Sequence, residues 1–473
     1  MRYVLTEEYR LRGYRKLPTG LVHMPRRDIF FFSGDNYRLL LDCDGMHEMN
    51  PDAMTDKEKE FLRRLEENEV IRPALPGEML TEKQVYHLYP AEYRRTCQWS
   101  ITGGCNLRCR HCFMSAPHAK HGVPSFEQLV NIAGQLAECG VMRATITGGE
   151  PLTRKDFIRL MDVLNEREIE VPTIFTNGWL VDEALLDALD ERGMHPSFQL
   201  SFDGPGRHDF LRGVPGAEER TLRALELLKE RKHTVSVSMC LHKGNADTIR
   251  ESVNMMAGLG VTFMKVSPVM DQGEWMEREV RELKLSDEEA QEAFCAYIPQ
   301  FFADDAPMSL MLGGSFVFDR PKQEWNIYHE IRCTPEEEEA FPSCGVLAKE
   351  FFISAEGRVA PCMSMDDCDF AENFPNLFEK PLKEILFDSP FTKLEHISVR
   401  DVRDANPKCR ECPYVDRCTG GCRNSVLLAG NDYNGIDPFL CRFFGSGWAE
   451  QIHEIAEPAY RAYLARHPGI KPE

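Results

Sequence analysis

Gly103-Gly104-Cys105-Asn106-Leu107-Arg108-Cys109-Arg110-His111-Cys112-Phe113 sets three cysteines at C-x3-C-x2-C spacing within a chain of 473 residues. Thiolates this close face one point only where the backbone curls around it. Three of them leave a four-iron cluster with one iron open to a small molecule. A zinc site and plain burial are the competing readings, and His111 inside the motif offers zinc a further ligand. The company of the motif weighs against both. Thr147-Gly148-Gly149-Glu150-Pro151 ends an apolar run; two glycines let a ligand approach the backbone, and a carboxylate accepts from an ammonium.

Around these motifs short apolar runs alternate with amphipathic stretches. Strands are expected at 98–102, 143–147, 172–176, 197–202, 234–241 and 262–268, and helices at 125–139, 155–166, 183–192, 218–229 and 246–259. Such alternation specifies an α/β fold with a parallel sheet and right-handed crossovers, here a partial, TIM-like (β/α)6 barrel. Ligands then bind at the C-terminal strand ends. The cysteine triplet, Gly148-Gly149-Glu150, Thr176-Asn177-Gly178 and Ser201-Phe202-Asp203-Gly204 all fall at that rim.

The triplet followed by Gly-Gly-Glu resembles the signature of the radical S-adenosylmethionine (SAM) enzymes. That resemblance implies that the open iron chelates the amino and carboxylate groups of SAM and cleaves it reductively to a 5'-deoxyadenosyl radical. It further implies that Gly148, Gly149 and Glu150 hold the SAM amino group, that Ser201 touches its ribose or carboxylate, that Arg212 pairs with its carboxylate, and that Phe113 packs near the adenine.

Towards the C-terminus, Cys344, Cys362 after Gly357, the run Cys409-x2-Cys412-x5-Cys418-x3-Cys422, and Cys441 resemble the SPASM extension of peptide-modifying radical SAM enzymes. By that resemblance Cys344, Cys362 and Cys422 bind a first auxiliary four-iron cluster, with Cys333 as possible fourth ligand and Cys368 a weaker candidate. Cys409, Cys412, Cys418 and Cys441 bind a second. If neither Cys333 nor Cys368 binds, the first cluster keeps an open iron able to grip a substrate thiolate. The alternative is a zinc ribbon of Cys409, Cys412, Cys418 and Cys422. Cys43, Cys97, Cys139, Cys240 and Cys295 fit no ligand spacing and read as buried small hydrophobes. Asp271, Glu274 and His329 read as solvated surface.

The N-terminal part reads as strands at 20–24 and 28–32 about Arg26-Arg27, a third strand or helix start at 37–41, a capped helix at 55–68 and a strand at 70–73. This winged-helix-like unit resembles the PqqD-like leader-recognition domain, which captures an extended peptide along a sheet edge; a structural cap or dimerisation module is the plainer reading. Residues 77–95 connect it to the barrel. Three regions follow: 1–90 for leader recognition, 91–310 for the radical SAM barrel, and 311–473 for a bridging region and the Cys-rich SPASM domain.

A net charge of −20 and a pI near 5.3 argue against nucleic acid as a partner. No signal core or membrane-length apolar run is seen, so a cytoplasmic protein without a membrane partner is expected. Seventeen cysteines, clustered, suit metal in a reducing compartment. The resemblances together imply a maturase of a ribosomally made precursor peptide. It would form Cys thioether crosslinks, as sactipeptide and ranthipeptide synthases do, with three four-iron clusters, SAM and an external electron donor such as flavodoxin or ferredoxin. Carbon–carbon crosslinking, epimerisation or formylglycine formation in a protein substrate is the alternative chemistry, and an iron–sulfur scaffold or electron carrier the non-enzyme one.

Overall fold

The computed structural model describes residues 1–470 except 278 and 348. Its N-terminal part comprises β1 (Tyr3–Leu5), β2 (Tyr9–Tyr14), β3 (Leu17–His23), β4 (Asp28–Phe31), α1 (Gly34–Leu41), α2 (Asp56–Glu67), β5 (Ile71–Pro73) and β6 (His87–Tyr89). β1 pairs with β5, and the other strands form a sheet in the order β4-β3-β2-β6, with β4 at its edge. The segment at 37–41 is helical: Tyr37, Leu39 and Leu40 turn inward, and the Tyr37 hydroxyl donates to the Gly20 carbonyl at 2.9 Å. α2 begins with a capping box, the Thr55 side chain accepting from the Glu58 amide while the Glu58 carboxylate accepts from the Thr55 amide. β1, β2 and β6 are additions to the sequence reading. β6 comes from the expected connecting segment and pairs parallel with β2.

The barrel strands are β7 (Thr96–Ser100), β8 (Ala144–Thr147), β9 (Thr173–Phe175), β10 (Ser197–Ser201), β11 (Val235–Leu241) and β12 (Phe263–Pro268). Their crossovers include α3 (Phe126–Glu138), α4 (Phe157–Glu166), α5 (Glu183–Asp190), α6 (His208–Arg212), α7 (Ala217–Glu230) and α8 (Ile249–Gly258). The six expected units are present and all parallel. Residues alternate along β10 and β11, with Phe198, Leu200, Val237 and Met239 packed under the helices and Gln199, Ser201, Ser236 and Ser238 on the concave face.

The sheet extends beyond the expected six strands at both ends. After α9 (Asp287–Ala303), β13 (Ser309–Leu312) pairs parallel with β12, followed by antiparallel β14 (Phe316–Asp319) and β15 (Glu324–Asn326). At the other end β16 (Glu350–Ile353) pairs parallel with β7, and β17 (Val359–Ala360) turns back along it. The cysteine-rich region therefore supplies a strand beside the first strand of the barrel. It is also held by a buried ion pair: Arg94, just before β7, donates through Nε and Nη2 to Glu395, and both side chains are at most 1% exposed. Arg94→Met is expected to lower stability by about 3–5 kcal/mol, because Glu395 would be left buried without its cation; thermal unfolding measures it.

Candidate metal centres

β7 ends at Ser100, and the chain folds over the rim as the cysteine loop. The loop is stitched to the Gly-Gly-Glu turn after β8: the Gly149 amide donates to the Thr102 carbonyl (2.8 Å) and the Glu150 amide to the Gly104 carbonyl (2.9 Å). The glycine at 149 is a steric requirement, since a Cβ there would stand 2.3 Å from the Gly104 carbonyl oxygen. The backbone at Gly148, with φ +151°, meets the Thr102 carbonyl in the same way.

Donors point at all three sulfurs. The Leu107 amide lies 3.4 Å from Cys105 Sγ and the Ala116 amide 3.3 Å from Cys112 Sγ, while Asn177 Nδ2 and Arg212 Nη1 each stand 3.8 Å from a sulfur, of Cys105 and Cys109 respectively. Burial pushes the Cys105 thiol up to about 12 and Cys112 to about 11, and the neighbouring cysteines add to the rise at both. Such thiols stay protonated unless a cation displaces the proton, and the surrounding N–H donors favour the thiolate once it forms. The set fits an iron cluster. His111 does not join it as a zinc ligand would, its ring instead approaching Asp203 and Cys240.

Two of the residues implied for SAM have other engagements. Glu150 is fully buried and its carboxylate accepts from the Leu152 amide (3.1 Å), the Thr176 hydroxyl (2.8 Å) and the Asn177 amide (2.7 Å). Burial lifts it to about 7, the three donors working against the rise. The carboxylate thus orders the turns after β8 and β9. These bonds engage the carboxylate that the resemblance assigns to the SAM amino group, beside the backbone of Gly148 and Gly149. Arg212 donates through Nε to Asp203 Oδ2 at 2.8 Å, beside His208. Its nearest carboxylate is therefore internal. Ser201 closes β10 on the concave face opposite Ser238, and Phe113 packs with Met114 against the cysteine-rich region.

Asp203 and Asn177 lie in motifs read as rim turns, but their partners became visible only in three dimensions. Asp203 accepts from the Cys240 amide at 3.0 Å, so Cys240, expected to be plain core, is half-buried behind Cys109. Glu274, expected in solvent, is buried with its amide donating to the Cys112 carbonyl, and His329 packs between Phe439 and Phe443; Asp271 is exposed, as read.

The C-terminal cysteines separate into two groups. Cys344, Cys362 and Cys422 lie close enough for the charges of Cys422 and Cys344 to act on Cys362, and that of Cys344 on Cys422. Cys418 in turn feels Cys441, Cys409 and Cys412, and Cys441 feels Cys409 and Cys412. The zinc-ribbon grouping is not the one formed, because Cys422 lies with Cys344 and Cys362. Cys333 sits beside Arg403, Glu337, Glu338 and Asp416, and the Cys368 thiol donates to the Met365 carbonyl. Cys112 and Phe113 pack against the same hydrophobic cluster as Cys344 and Cys362.

Comparison with known proteins identifies two domains. Residues 99–256 match the Radical SAM superfamily, and residues 344–413 match SPASM, described as an iron-sulfur cluster-binding domain. An AdoMet-dependent heme synthase of Methanosarcina barkeri is 26% identical over 73% of this chain and 95% of its own length. A PqqA peptide cyclase of Granulibacter bethesdensis is 26% identical over 72% and 84%. The antilisterial bacteriocin subtilosin biosynthesis protein AlbA of Bacillus subtilis is 24% identical over 80% of each chain. In fold, the chain is similar to Streptococcus suis SuiB in its crystal structure bound to precursor peptide SuiA, with a TM-score of 0.63, 16% identity, and 93% and 99% of the two chains covered. No helix among the described residues is long and apolar enough to cross a membrane. The chain carries a radical SAM domain on a parallel α/β sheet, joined to a SPASM iron–sulfur cluster-binding domain.

Proposed function

We propose that the protein is a maturase that forms thioether crosslinks in a ribosomally made precursor peptide. The observation that carries this reading is the shared hydrophobic cluster beneath Cys112, Phe113, Cys344 and Cys362. Because this cluster ties the barrel cysteines and the Cys344 and Cys362 pair into one packed unit, a peptide bound between them would lie near both, and a substrate thiolate would complete a three-cysteine cluster. The names of relatives support a peptide substrate, since PqqA peptide cyclase and the subtilosin biosynthesis protein both act in peptide maturation.

Cys105, Cys109 and Cys112 hold the SAM cluster; Cys344, Cys362 and Cys422 hold the first auxiliary cluster; Cys409, Cys412, Cys418 and Cys441 hold the second. Bound there, the clusters and SAM supply a carbon radical and take up the electron released when sulfur and carbon join. The residues of the chain position these groups. Gly148 and Gly149 present backbone to the amino group of SAM, Glu150 orders that turn, and Ser201 and Phe113 border the concave face. An external one-electron carrier supplies the reductant.

The N-terminal sheet offers a place for the leader. β4 is an edge strand, and because the Phe32 amide bonds back to Thr19, ladder alternation turns the amides of Ile29 and Phe31 outward. Phe30 on that strand is 52% exposed. An extended peptide adds there as a further strand.

Anaerobic reconstitution with iron and sulfide counting tests the cluster assignment. About twelve irons are expected in the wild type, falling by about four in the Cys105→Ala/Cys109→Ala/Cys112→Ala variant. Zinc, or about four irons in total, would sink the three-cluster reading. Incubation of the reconstituted enzyme with SAM, reductant and a cysteine-containing precursor peptide should remove two hydrogens and one alkylatable thiol per crosslink. A loss of hydrogens with the thiols intact would favour carbon–carbon bond formation.

A further inference from the structure

All three cysteine sulfurs on the barrel loop are half-buried and met by N–H donors, but their surroundings differ. The Arg212 guanidinium lies over Cys109, and Cys112 is backed by the Ala116 amide and the hydrophobic cluster it shares with the SPASM region. Cys105 instead lines an open cavity of about 510 Å³ whose wall includes Asn106, Arg154, Lys155, Asp156 and Arg159. Three cations face one carboxylate there, and the carboxylate is taken: Arg154 pairs with Asp156 at 2.8 Å. Lys155 is exposed with no hydrogen bond or ion pair among the described residues. Arg159, also exposed, lies 4.1 Å over the Phe126 ring, with Glu127 the carboxylate nearby. Lys155 is thus an unpaired cation at the cavity that Cys105 lines, while Arg159 faces Asp156 and Glu127, on a chain of net charge −20.

We propose that this cavity is the docking site of the external electron carrier, and that the carrier is a small protein with an acidic surface. The inference rests on the reading that Cys105, Cys109 and Cys112 hold a four-iron cluster reduced from outside. Overall charge repels an acidic partner, so productive encounter must be steered to a locally positive place. The concave face is occupied by SAM and peptide, and the Cys112 side is closed by the SPASM region. Cys105 lies in the wall of the open cavity, so a protein docked there comes near it. With a flavodoxin as carrier, its anionic flavin hydroquinone loses one electron and becomes the neutral semiquinone without proton transfer, and the cluster gains that electron.

The test uses reconstituted holoenzyme and an acidic flavodoxin, reduced to the hydroquinone, in anaerobic stopped flow. Lys155→Glu/Arg159→Glu should slow the second-order oxidation of the flavodoxin at least tenfold at low salt and flatten its salt dependence. Lys322→Glu, at the turn between β14 and β15, should stay within twofold of wild type. Dithionite reduction and SAM affinity should be unchanged in both variants. Equal rates and salt slopes in wild type and double variant would overturn the proposal, as would a parallel loss of SAM affinity, which would assign the cavity to SAM. A wild type reduced by dithionite but not by the flavodoxin also overturns it, and leaves the cluster reading intact. Failure of dithionite to reduce any cluster would strike that reading itself.

Discussion

Arg212→Gln is expected to lower the reduction potential of the cluster proposed at Cys105, Cys109 and Cys112 by about 60 mV, a tenfold shift in a one-electron equilibrium. The sign follows from the charge. Reduction adds an electron to a group whose Cys109 sulfur faces a guanidinium nitrogen at 3.8 Å, so the cation stabilises the reduced state more than the oxidised one. The guanidinium is held in that place from behind. Asp203, fully buried, takes Arg212 Nε and the Cys240 amide, and the cysteine loop is bonded to the same helix end, the Arg108 amide donating to the Arg212 carbonyl and the Arg110 amide to that of Leu211. Burial alone would raise the Asp203 carboxyl, yet Arg212 and His208 hold it well below the usual carboxylate range.

Because the glutamine variant leaves Asp203 without its cation, a stability loss of about 3–5 kcal/mol should accompany the shift, and Arg212→Lys, which keeps the charge, should recover most of the potential. The readout is potentiometry followed by electron paramagnetic resonance without SAM, on the signal that changes when SAM is added. An unchanged potential with weakened SAM binding would return Arg212 to the role its family resemblance implies, a direct contact with the SAM carboxylate.

The contrast between Cys105 and Arg212 shows which parts of the site were legible in the sequence. Ligand spacing is a local property: C-x3-C-x2-C constrains a few consecutive residues and could be read directly, whereas the interleaved grouping of Cys422 with Cys344 and Cys362 came only from the family resemblance, since spacing alone joins Cys422 to Cys409, Cys412 and Cys418. The barrel strands were legible for a related reason, since β8 and its neighbours are short apolar runs between amphipathic helices of the right length. Pairing over long separations carries no such signature. β16 lies beside β7 although some 250 residues separate them, and nothing in Glu350–Ile353 marks its neighbour. β2 was missed because Tyr-Arg-Leu-Arg-Gly-Tyr interleaves charges with buried positions; Arg12 is itself buried, donating to the Lys83 and Val85 carbonyls. Glu150 and Arg212 stand at the rim, but which partner each charge meets depends on how the turns close.

Gly149→Ala is expected to abolish SAM cleavage and to remove about four irons from the reconstituted protein, leaving the auxiliary sites filled. The added methyl would stand 2.3 Å from the Gly104 carbonyl oxygen, 2.6 Å from its carbon and 3.0 Å from the Ala116 Cβ. Two of those three neighbours are backbone atoms, so no side-chain rotation relieves the contact. One strand of the stitch must move. If the Gly-Gly-Glu turn moves, it carries away the amides bonded to Thr102 and Gly104; if the cysteine loop moves, Cys105, next to Gly104, leaves its place with it. Overpacking of this kind costs about 1–3 kcal/mol in stability, too little to unfold a chain of this size. The loss should therefore be local. Gly134→Ala is the matched control, because Gly134 lies within α3 with nothing near the added methyl and should gain up to about 1 kcal/mol from helix propensity. Iron content and the SAM-dependent change in the resonance signal separate the two variants. Full iron loading and SAM binding in Gly149→Ala would mean that the loop tolerates the shift, and that the close approach of its backbone to the turn is not what holds the first cysteine in place.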